Sequence, residues 1–172
     1  MLILITGGVK NGKSSLGEDM CREIASGKLC YIATMYRNPD DDEVAQRIAR
    51  HREMRANKGF RTFERYTDIG SLELGGYDTA LLECLPNLLA NEMFMKPGGT
   101  FGAADRIGHG LTALKRNIRN LVVISNEVGA DGVDYSEETR DYQAALAALN
   151  AQLGAFADAV YEVVCGIPVR LK

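Results

Sequence analysis

The residues with the clearest capacity for chemistry form one glycine-rich run near the amino terminus. Gly7-Gly8-Val9-Lys10-Asn11-Gly12-Lys13-Ser14 matches the pattern G-x-x-x-x-G-K-[S/T] in full. Glycines at these spacings let successive backbone N–H groups turn towards an anion, and the positive end of the helix that follows adds to their effect. Lys13 can reach the β- and γ-phosphates of a nucleotide, and the hydroxyl of Ser14 can bind Mg²⁺. The run predicts a P-loop enzyme that transfers a phosphoryl or nucleotidyl group from ATP or GTP. The alternative is a glycine-rich turn with an incidental lysine.

This chemistry also needs a carboxylate that orients the metal ion, usually at the end of a nearby strand. Glu83 directly follows the apolar run Ala80-Leu81-Leu82 and fits that position. Glu127 follows another apolar segment and is a second candidate. Either residue could instead be a surface carboxylate. We assign the Mg²⁺ site to Ser14 and Glu83 and leave the role of Glu127 open.

A third candidate is one of the two histidines of the chain. His51 lies in a segment of helical periodicity, and residues one turn apart place it on a charged stripe: Glu43, Arg47 and Arg55. Neighbouring cations favour a neutral, nucleophilic imidazole and can stabilise charge on a phosphate. A solvated, charge-laced helix explains the same pattern, so spacing alone leaves both interpretations open. His109 lacks such neighbours, and we interpret it as structural or incidental.

Short apolar segments alternate with helical ones along the chain, which predicts an α/β fold: a mainly parallel sheet with helices on both faces and an antiparallel carboxyl-terminal edge. The predicted strands are Met1–Thr6, Leu29–Thr34, Thr79–Cys84, Leu121–Ser125, Val160–Cys165 and Val169–Leu171, with Gly166 and Pro168 between the last two. The predicted helices are Lys13–Ala25, Asp40–Asn57, Asn87–Met95, Ala103–Ile118 and Ser136–Phe156. Ligands of such sheets bind beyond the carboxyl ends of the strands, where the candidate residues fall.

Composition narrows the class of protein further. The chain has 172 residues and a formal net charge of −3, which argues against broad nucleic-acid binding. We expect residues 1–172 to form a single P-loop nucleotide-binding domain. Its apolar segments are too short for a signal peptide or a membrane span, so we expect a cytoplasmic protein. The four cysteines form no CxxC pair, which disfavours a zinc site or a disulfide framework.

Several segments together resemble the bifunctional adenosylcobinamide kinase / adenosylcobinamide-phosphate guanylyltransferases of cobalamin biosynthesis. The resemblance runs from end to end of the chain and rests on these motifs: ILITGG with GKS, YIAT (Tyr31–Thr34), D-x-E-x-x-x-R-I-x-x-H-R-x-x-R (Asp41–Arg55), R-T-x-E (Arg61–Glu64), LLEC (Leu81–Cys84), SNEVG (Ser125–Gly129) and the tail Ala157–Lys172. The chain differs from the usual pattern of the family at Phe60, near Tyr66 and in three segments, Leu85–Met93, Asp131–Asp134 and Tyr142–Asn150, although Asn91, Arg140 and Asn150 are retained.

The resemblance implies a RecA-like P-loop fold and a homotrimer. It implies that ATP or GTP phosphorylates the aminopropanol hydroxyl of adenosylcobinamide, and that GMP is then transferred from GTP to give adenosyl-GDP-cobinamide. The second step of the family uses a guanylylated histidine, which corresponds to His51. The same match places further residues near the nucleotide: Thr34, Met35, Tyr36, Arg52, Arg55, Glu64 and Glu83.

Two other functions remain open from the sequence. One is a P-loop kinase that phosphorylates another small hydroxyl compound and needs Lys13, Ser14 and Glu83 but not His51. The other is a non-catalytic relative that binds nucleotide and has lost the acceptor site. The intact histidine segment argues against both, because neither function needs a histidine there.

Overall fold

The computed structural model describes residues 1–36, 58–95, 99–128 and 133–172, which share one seven-stranded sheet. The strands are β1 (Leu2–Thr6), β2 (Leu29–Ala33), β3 (Phe60–Glu64), β4 (Thr79–Leu82), β5 (Asn120–Ile124), β6 (Ala159–Val164) and β7 (Ile167–Arg170). Their order across the sheet is β3-β2-β4-β5-β1-β6-β7. Every pair is parallel except β6 and β7. The predicted helix Asp40–Asn57, with His51, Arg52 and Arg55, lies outside the described residues.

Four α-helices cover this sheet in the described ranges: α1 (Lys13–Ile24), α2 (Leu85–Phe94), α3 (Ala103–Asn117) and α4 (Glu137–Phe156). Each begins where the local sequence favours it. Pro86 lies in the first turn of α2, where its missing N–H costs nothing. Ser136 caps α4 by accepting a hydrogen bond from the Thr139 amide at 3.3 Å. The predicted start of α2 at Asn87 was therefore two residues late.

The alternation of side chains along the strands divides the core into two layers. Leu2 and Leu4 of β1 pack in the cluster that holds the buried residues of α2, α3 and α4. Ile3 and Ile5 point to the opposite face and pack with Cys21 of α1. Because both faces are covered, the central strands are apolar throughout, as the sequence predicted.

The β3 edge of the sheet was not predicted, whereas the antiparallel carboxyl-terminal edge is confirmed and only the bounds of its strands differ. The sequence did not predict β3, because exposed charged residues such as Arg61 and Glu64 interrupt the apolar pattern expected of a strand. β3 is an edge strand, and in the described sheet it pairs with β2 alone. Pro168 was predicted to lie between strands but belongs to β7, whose outer edge is free of sheet partners in the described residues. The turn consists of Cys165 and Gly166 alone, with φ of 50° and 81° as a two-residue hairpin requires.

None of the described helices is both long enough and apolar enough to cross a bilayer.

Candidate functional site

The glycine-rich run connects β1 to α1 and has the backbone of an anion nest. Gly7 has φ of +127°, and a Cβ there would lie 2.5 Å from the carbonyl oxygen of Val163 in β6, so no side chain fits. Gly12, at the start of α1, has φ of +88°. Lys10 adopts φ of 60°, which is uncommon for a residue with a side chain. The Asn11 amide nitrogen donates to the Val163 oxygen at 3.2 Å and holds the loop against the sheet.

Lys13 lies inside this loop and is only 6% exposed. Its Nζ donates to the carbonyl oxygens of Gly7, at 2.9 Å, and of Gly8, at 2.5 Å. Burial lowers the pKa of Lys13, while coulombic interactions with Cys84 and Glu127 act in the opposite direction. The ammonium group is thus held among loop carbonyls, next to the space that a phosphate would fill.

The amino-terminal end of α1 is open to an anion. Gly12 supplies no side-chain cap, and the first turn contains no acidic residue, so the positive end of the helix is not neutralised locally. Ser14 is half-buried in that first turn. This is the arrangement that binds nucleotide phosphates in other P-loop proteins.

A cleft of about 290 Å³ lies over the loop, and we call it the phosphate cleft. The structure brings part of the predicted set together there: Val9, Lys10, Asn11, Gly12, Lys13, Ser14, Met35 and Glu83. Its other lining residues are Ser15, Cys84, Asn87, Ile124 and Asn126. Asn87 was not predicted as a site residue, although Pro86 indicates that a helix begins beside this site. Gly7 and Gly8 do not line the cleft; their backbone lies beneath it.

Thr34 joins the ends of two strands rather than lining the cleft. Its hydroxyl donates to the Cys84 oxygen at 2.9 Å, and its carbonyl accepts from the Asn91 side chain at 2.8 Å. These bonds fix the chain after β2 against the chain after β4. Met35 follows Thr34 and Glu83 precedes Cys84, so the hydrogen bond between Thr34 and Cys84 also positions Met35 and Glu83 in the phosphate cleft.

Two predicted site residues lie apart from the lining of the phosphate cleft. Tyr36 is half exposed and packs edge-on against Tyr66, with ring centroids 5.3 Å apart. The Tyr66 hydroxyl donates to Glu64 at 2.8 Å. Glu64 and Tyr36 therefore share one surface beyond the ends of β2 and β3. Their contact with a nucleotide stays a prediction, as does that of Arg52 and Arg55, which lie outside the described residues.

The segment after β5 is fixed by an asparagine of α4. The buried hydroxyl of Ser125 donates to Asn150 Oδ1 at 2.6 Å, and Asn150 Nδ2 donates to the Asn126 oxygen at 3.1 Å. These two hydrogen bonds to α4 fix the position of Asn126 in the phosphate cleft. They also fix the backbone of Glu127, whose charge acts on Lys13.

The residues present fit Mg²⁺ in the way expected of a nucleotide enzyme. Ser14 and Glu83 line one cleft and offer a hydroxyl and a carboxylate, the hard oxygen ligands that this ion prefers. Within the described ranges no group of three or more His, Cys, Asp or Glu residues could hold a metal by itself. Substrate phosphates and water would have to supply the other ligands, as is usual for Mg²⁺.

Comparison with known families decides the affiliation of the chain. The model of the cobinamide kinase / cobinamide phosphate guanyltransferase family matches residues 3–171. The chain belongs to this family. It is therefore a transferase of the cobinamide kinase and guanyltransferase family, as the motifs predicted. The bifunctional adenosylcobalamin biosynthesis proteins CobU of Escherichia coli and Salmonella typhimurium are each 32% identical to it, over 100% of both chains. The corresponding protein CobP of Pseudomonas aeruginosa is 30% identical over 98% of this chain and 96% of its own.

Solved structures confirm the fold class of this cobinamide kinase family member. An ATPase domain superposes with a TM-score of 0.51 at 11% identity, covering 94% of this chain and 68% of that one. A KaiC-like protein from Pyrococcus horikoshii gives a TM-score of 0.50 at 10% identity, covering 94% and 69%. The fold is the RecA-like P-loop fold that the resemblance implied.

Proposed function

We propose that this chain phosphorylates adenosylcobinamide with ATP or GTP and then transfers GMP from GTP to the product, giving adenosyl-GDP-cobinamide. The observation that carries the proposal is the phosphate cleft, where Lys13 and Ser14 face Glu83 in a chain of this family. His51 is the proposed nucleophile of the second step. Glu64, Thr34, Tyr36, Arg52 and Arg55 complete the proposed nucleotide site.

In the kinase step, the loop amides and the first turn of α1 hold the β- and γ-phosphates. Lys13 exchanges its bonds with the Gly7 and Gly8 carbonyls for phosphate oxygens, where its charge offsets the charge that develops on transfer. Ser14 and Glu83 would hold Mg²⁺, which neutralises phosphate charge when bound. The Thr34 and Asn150 hydrogen bonds keep the opposite wall of the cleft in place, so the site needs little rearrangement.

In the guanylyl step, a neutral His51 nitrogen attacks the α-phosphorus of GTP, and pyrophosphate leaves with the electron pair of the broken P–O bond. A phosphate oxygen of cobinamide phosphate then attacks the same phosphorus, which releases the histidine. This covalent route divides one difficult transfer into two in-line steps. The proposal for His51 rests on the family pattern of Asp41–Arg55, since these residues lie outside the described part of the chain.

Isotopic labelling of GTP separates the two activities. With adenosylcobinamide as acceptor, label in the γ-phosphate should enter cobinamide phosphate, and label in the α-phosphate should enter adenosyl-GDP-cobinamide, both followed by chromatography of the corrinoids. Transfer of γ-label alone would reduce the protein to a kinase, which is the second candidate function. Transfer of neither label would refute both activities on this acceptor.

We further propose a homotrimer in the cytoplasm. The hairpin of β6 and β7 exposes Val164, Ile167, Val169 and Leu171 together at one edge of the sheet. Exposed apolar side chains on an open edge strand are typical of a surface that another chain covers. The absence of disulfides among the four cysteines, all of which are described, suits a reducing compartment that supplies ATP and GTP.

A further inference from the structure

A second cleft lies beside the phosphate cleft, between helix α4, strands β1 and β6 and the segment that follows β5. We call it the α4 cleft; its volume is about 310 Å³. It is lined by Leu4, Thr6, Asn126, Glu127, Val128, Gln143, Leu146, Ala147, Asn150, Gly154 and Val160. Asn126 lines both clefts, so a ligand in one lies next to a ligand in the other.

The lining of the α4 cleft excludes a second nucleotide phosphate. Glu127 is the one charged side chain among the described residues that line it, and no cation is present there. The remaining polar groups are amides and a hydroxyl on an otherwise apolar wall. The Thr6 hydroxyl is buried and has no hydrogen-bond partner among the described residues. Such a wall suits a ligand that carries amide and hydroxyl groups and no negative charge.

The size of the cleft limits how much of a ligand it holds. Ligand pockets usually measure about 300–1,000 Å³, so this cleft is at the small end. It can take a flexible arm with an amide and a hydroxyl, but a whole corrin macrocycle would extend out of it.

Glu127 lines the α4 cleft and directly follows Asn126, which lines both clefts. Burial lowers the pKa of Lys13 in the phosphate cleft, and the charge of Glu127 acts in the opposite direction. The bonds between Asn150, Ser125 and Asn126 fix the backbone that carries it. A carboxylate in this place can accept a proton from a hydroxyl that faces the γ-phosphate.

We propose that the α4 cleft binds the amide- and hydroxyl-bearing arm of the phosphoryl acceptor, and that Glu127 accepts the hydroxyl proton. The acceptor oxygen forms a bond to the γ-phosphorus, the bond from that phosphorus to the bridging oxygen breaks, and the electron pair stays on the β-phosphate. The proton of the hydroxyl passes to the Glu127 carboxylate. This inference rests on the proposed kinase function and names the place of its acceptor.

Filling the cleft tests its role as the acceptor site. Ala147 lines the cleft, and its neighbour Ala148, likewise exposed on the same helix, lies outside the lining. Ala147→Leu should raise the KM for adenosylcobinamide at least tenfold and leave the KM for GTP unchanged. Ala148→Leu should change neither. Equal acceptor KM values for the two variants, with an active wild type, would overturn the acceptor site and leave the kinase function intact.

Direct binding keeps the two proposals separable. Equilibrium dialysis of adenosylcobinamide against the full chain should give a Kd at least tenfold weaker for Ala147→Leu than for Ala148→Leu. If the wild type binds with this pattern but transfers no phosphate, the cleft stands and the kinase function fails. If it neither binds nor transfers, both proposals fail.

Glu127→Gln tests the proton acceptor. It should lower kcat of phosphoryl transfer by about 100-fold, with the acceptor KM within threefold of wild type. Formation of a GMP adduct from GTP alone should be unaffected, because that step has no acceptor hydroxyl. An unchanged kcat, or an equal loss in adduct formation, would overturn the role of Glu127.

Discussion

At the scale of single residues, Lys13 combines a functional charge with an unfavourable environment. Burial lowers its pKa, and among the described residues its ammonium bonds only to carbonyl oxygens of its own loop. A buried charge is costly unless well paired, so we expect this residue to serve binding rather than stability. Active sites often show this opposition between function and stability.

Lys13→Met should separate the two contributions. Methionine fills similar space without a charge, so we expect the Tm of the nucleotide-free protein to equal or exceed that of the wild type. GTP with Mg²⁺ should raise the Tm of the wild type, by an amount equivalent to about 2.7 kcal/mol at a hundredfold excess over Kd. The variant should lose this shift.

Lys28→Met is the control, because Lys28 is exposed and lies outside the phosphate cleft. Thermal unfolding by circular dichroism with and without GTP gives both quantities. A full nucleotide shift in Lys13→Met would contradict the assigned role.

Sequence alone located much of the site because the P-loop is continuous along the chain. Residues 9–14 and Glu83 meet in the cleft as predicted. Asn87 was not found, because its place depends on how α2 packs beyond β4. Pairing between Thr34 and Cys84, fifty residues apart, likewise has no local signal.

At the scale of elements, the interior strands and the antiparallel carboxyl-terminal edge were predictable, whereas β3 was not. A strand buried on both faces is apolar throughout, but the edge strand β3 carries exposed charged residues and satisfies no such pattern. The contribution of α4 is also long-range. The sequence retains the asparagine of the family pattern at Asn150. Its two hydrogen bonds to the segment after β5 have no local sequence signal, because the partners are about 25 residues away in the chain.

Asn150→Ala should weaken this attachment. The buried Ser125 hydroxyl loses its acceptor, and the Asn126 carbonyl loses its donor, so we expect a loss of about 1–3 kcal/mol in the free energy of unfolding. In a chain of this length each kcal/mol lowers Tm by about 2–4 °C. Asp141→Ala, at an exposed position of the same helix, should change Tm by less than half as much. Equal losses of Tm in the two variants, measured by calorimetry, would show that the two hydrogen bonds of Asn150 contribute no more to stability than an exposed side chain does.

At the scale of the whole molecule, the sheet joins strands from both ends of the chain, with β1 between β5 and β6. One domain for residues 1–172 stays a prediction. The segment after β5 borders both the phosphate cleft and the α4 cleft, because Asn126 lines both. We propose the exposed apolar hairpin of β6 and β7 as the surface for assembly.

Ile167→Lys should disrupt the proposed homotrimer. Ile167 is 66% exposed on the outer strand, and burying a lysine in its place would leave an unpaired charge at a subunit contact. Light scattering after gel filtration should give a trimer mass for the wild type and a monomer mass for the variant. Thr62→Lys, on the opposite edge strand, should remain trimeric. A monomeric wild type, or a trimeric Ile167→Lys, would contradict this assembly.

The central claim is that this chain transfers both a phosphoryl and a guanylyl group, the latter through His51. Mass spectrometry of the intact protein after incubation with GTP and Mg²⁺ tests it most directly. His109 is the only other histidine, so His109→Ala is a matched control for His51→Ala. We predict an acid-labile adduct of the mass of GMP on the wild type and on His109→Ala, and none on His51→Ala. An adduct that survives in His51→Ala, or no adduct on a wild type that binds GTP, would contradict the account.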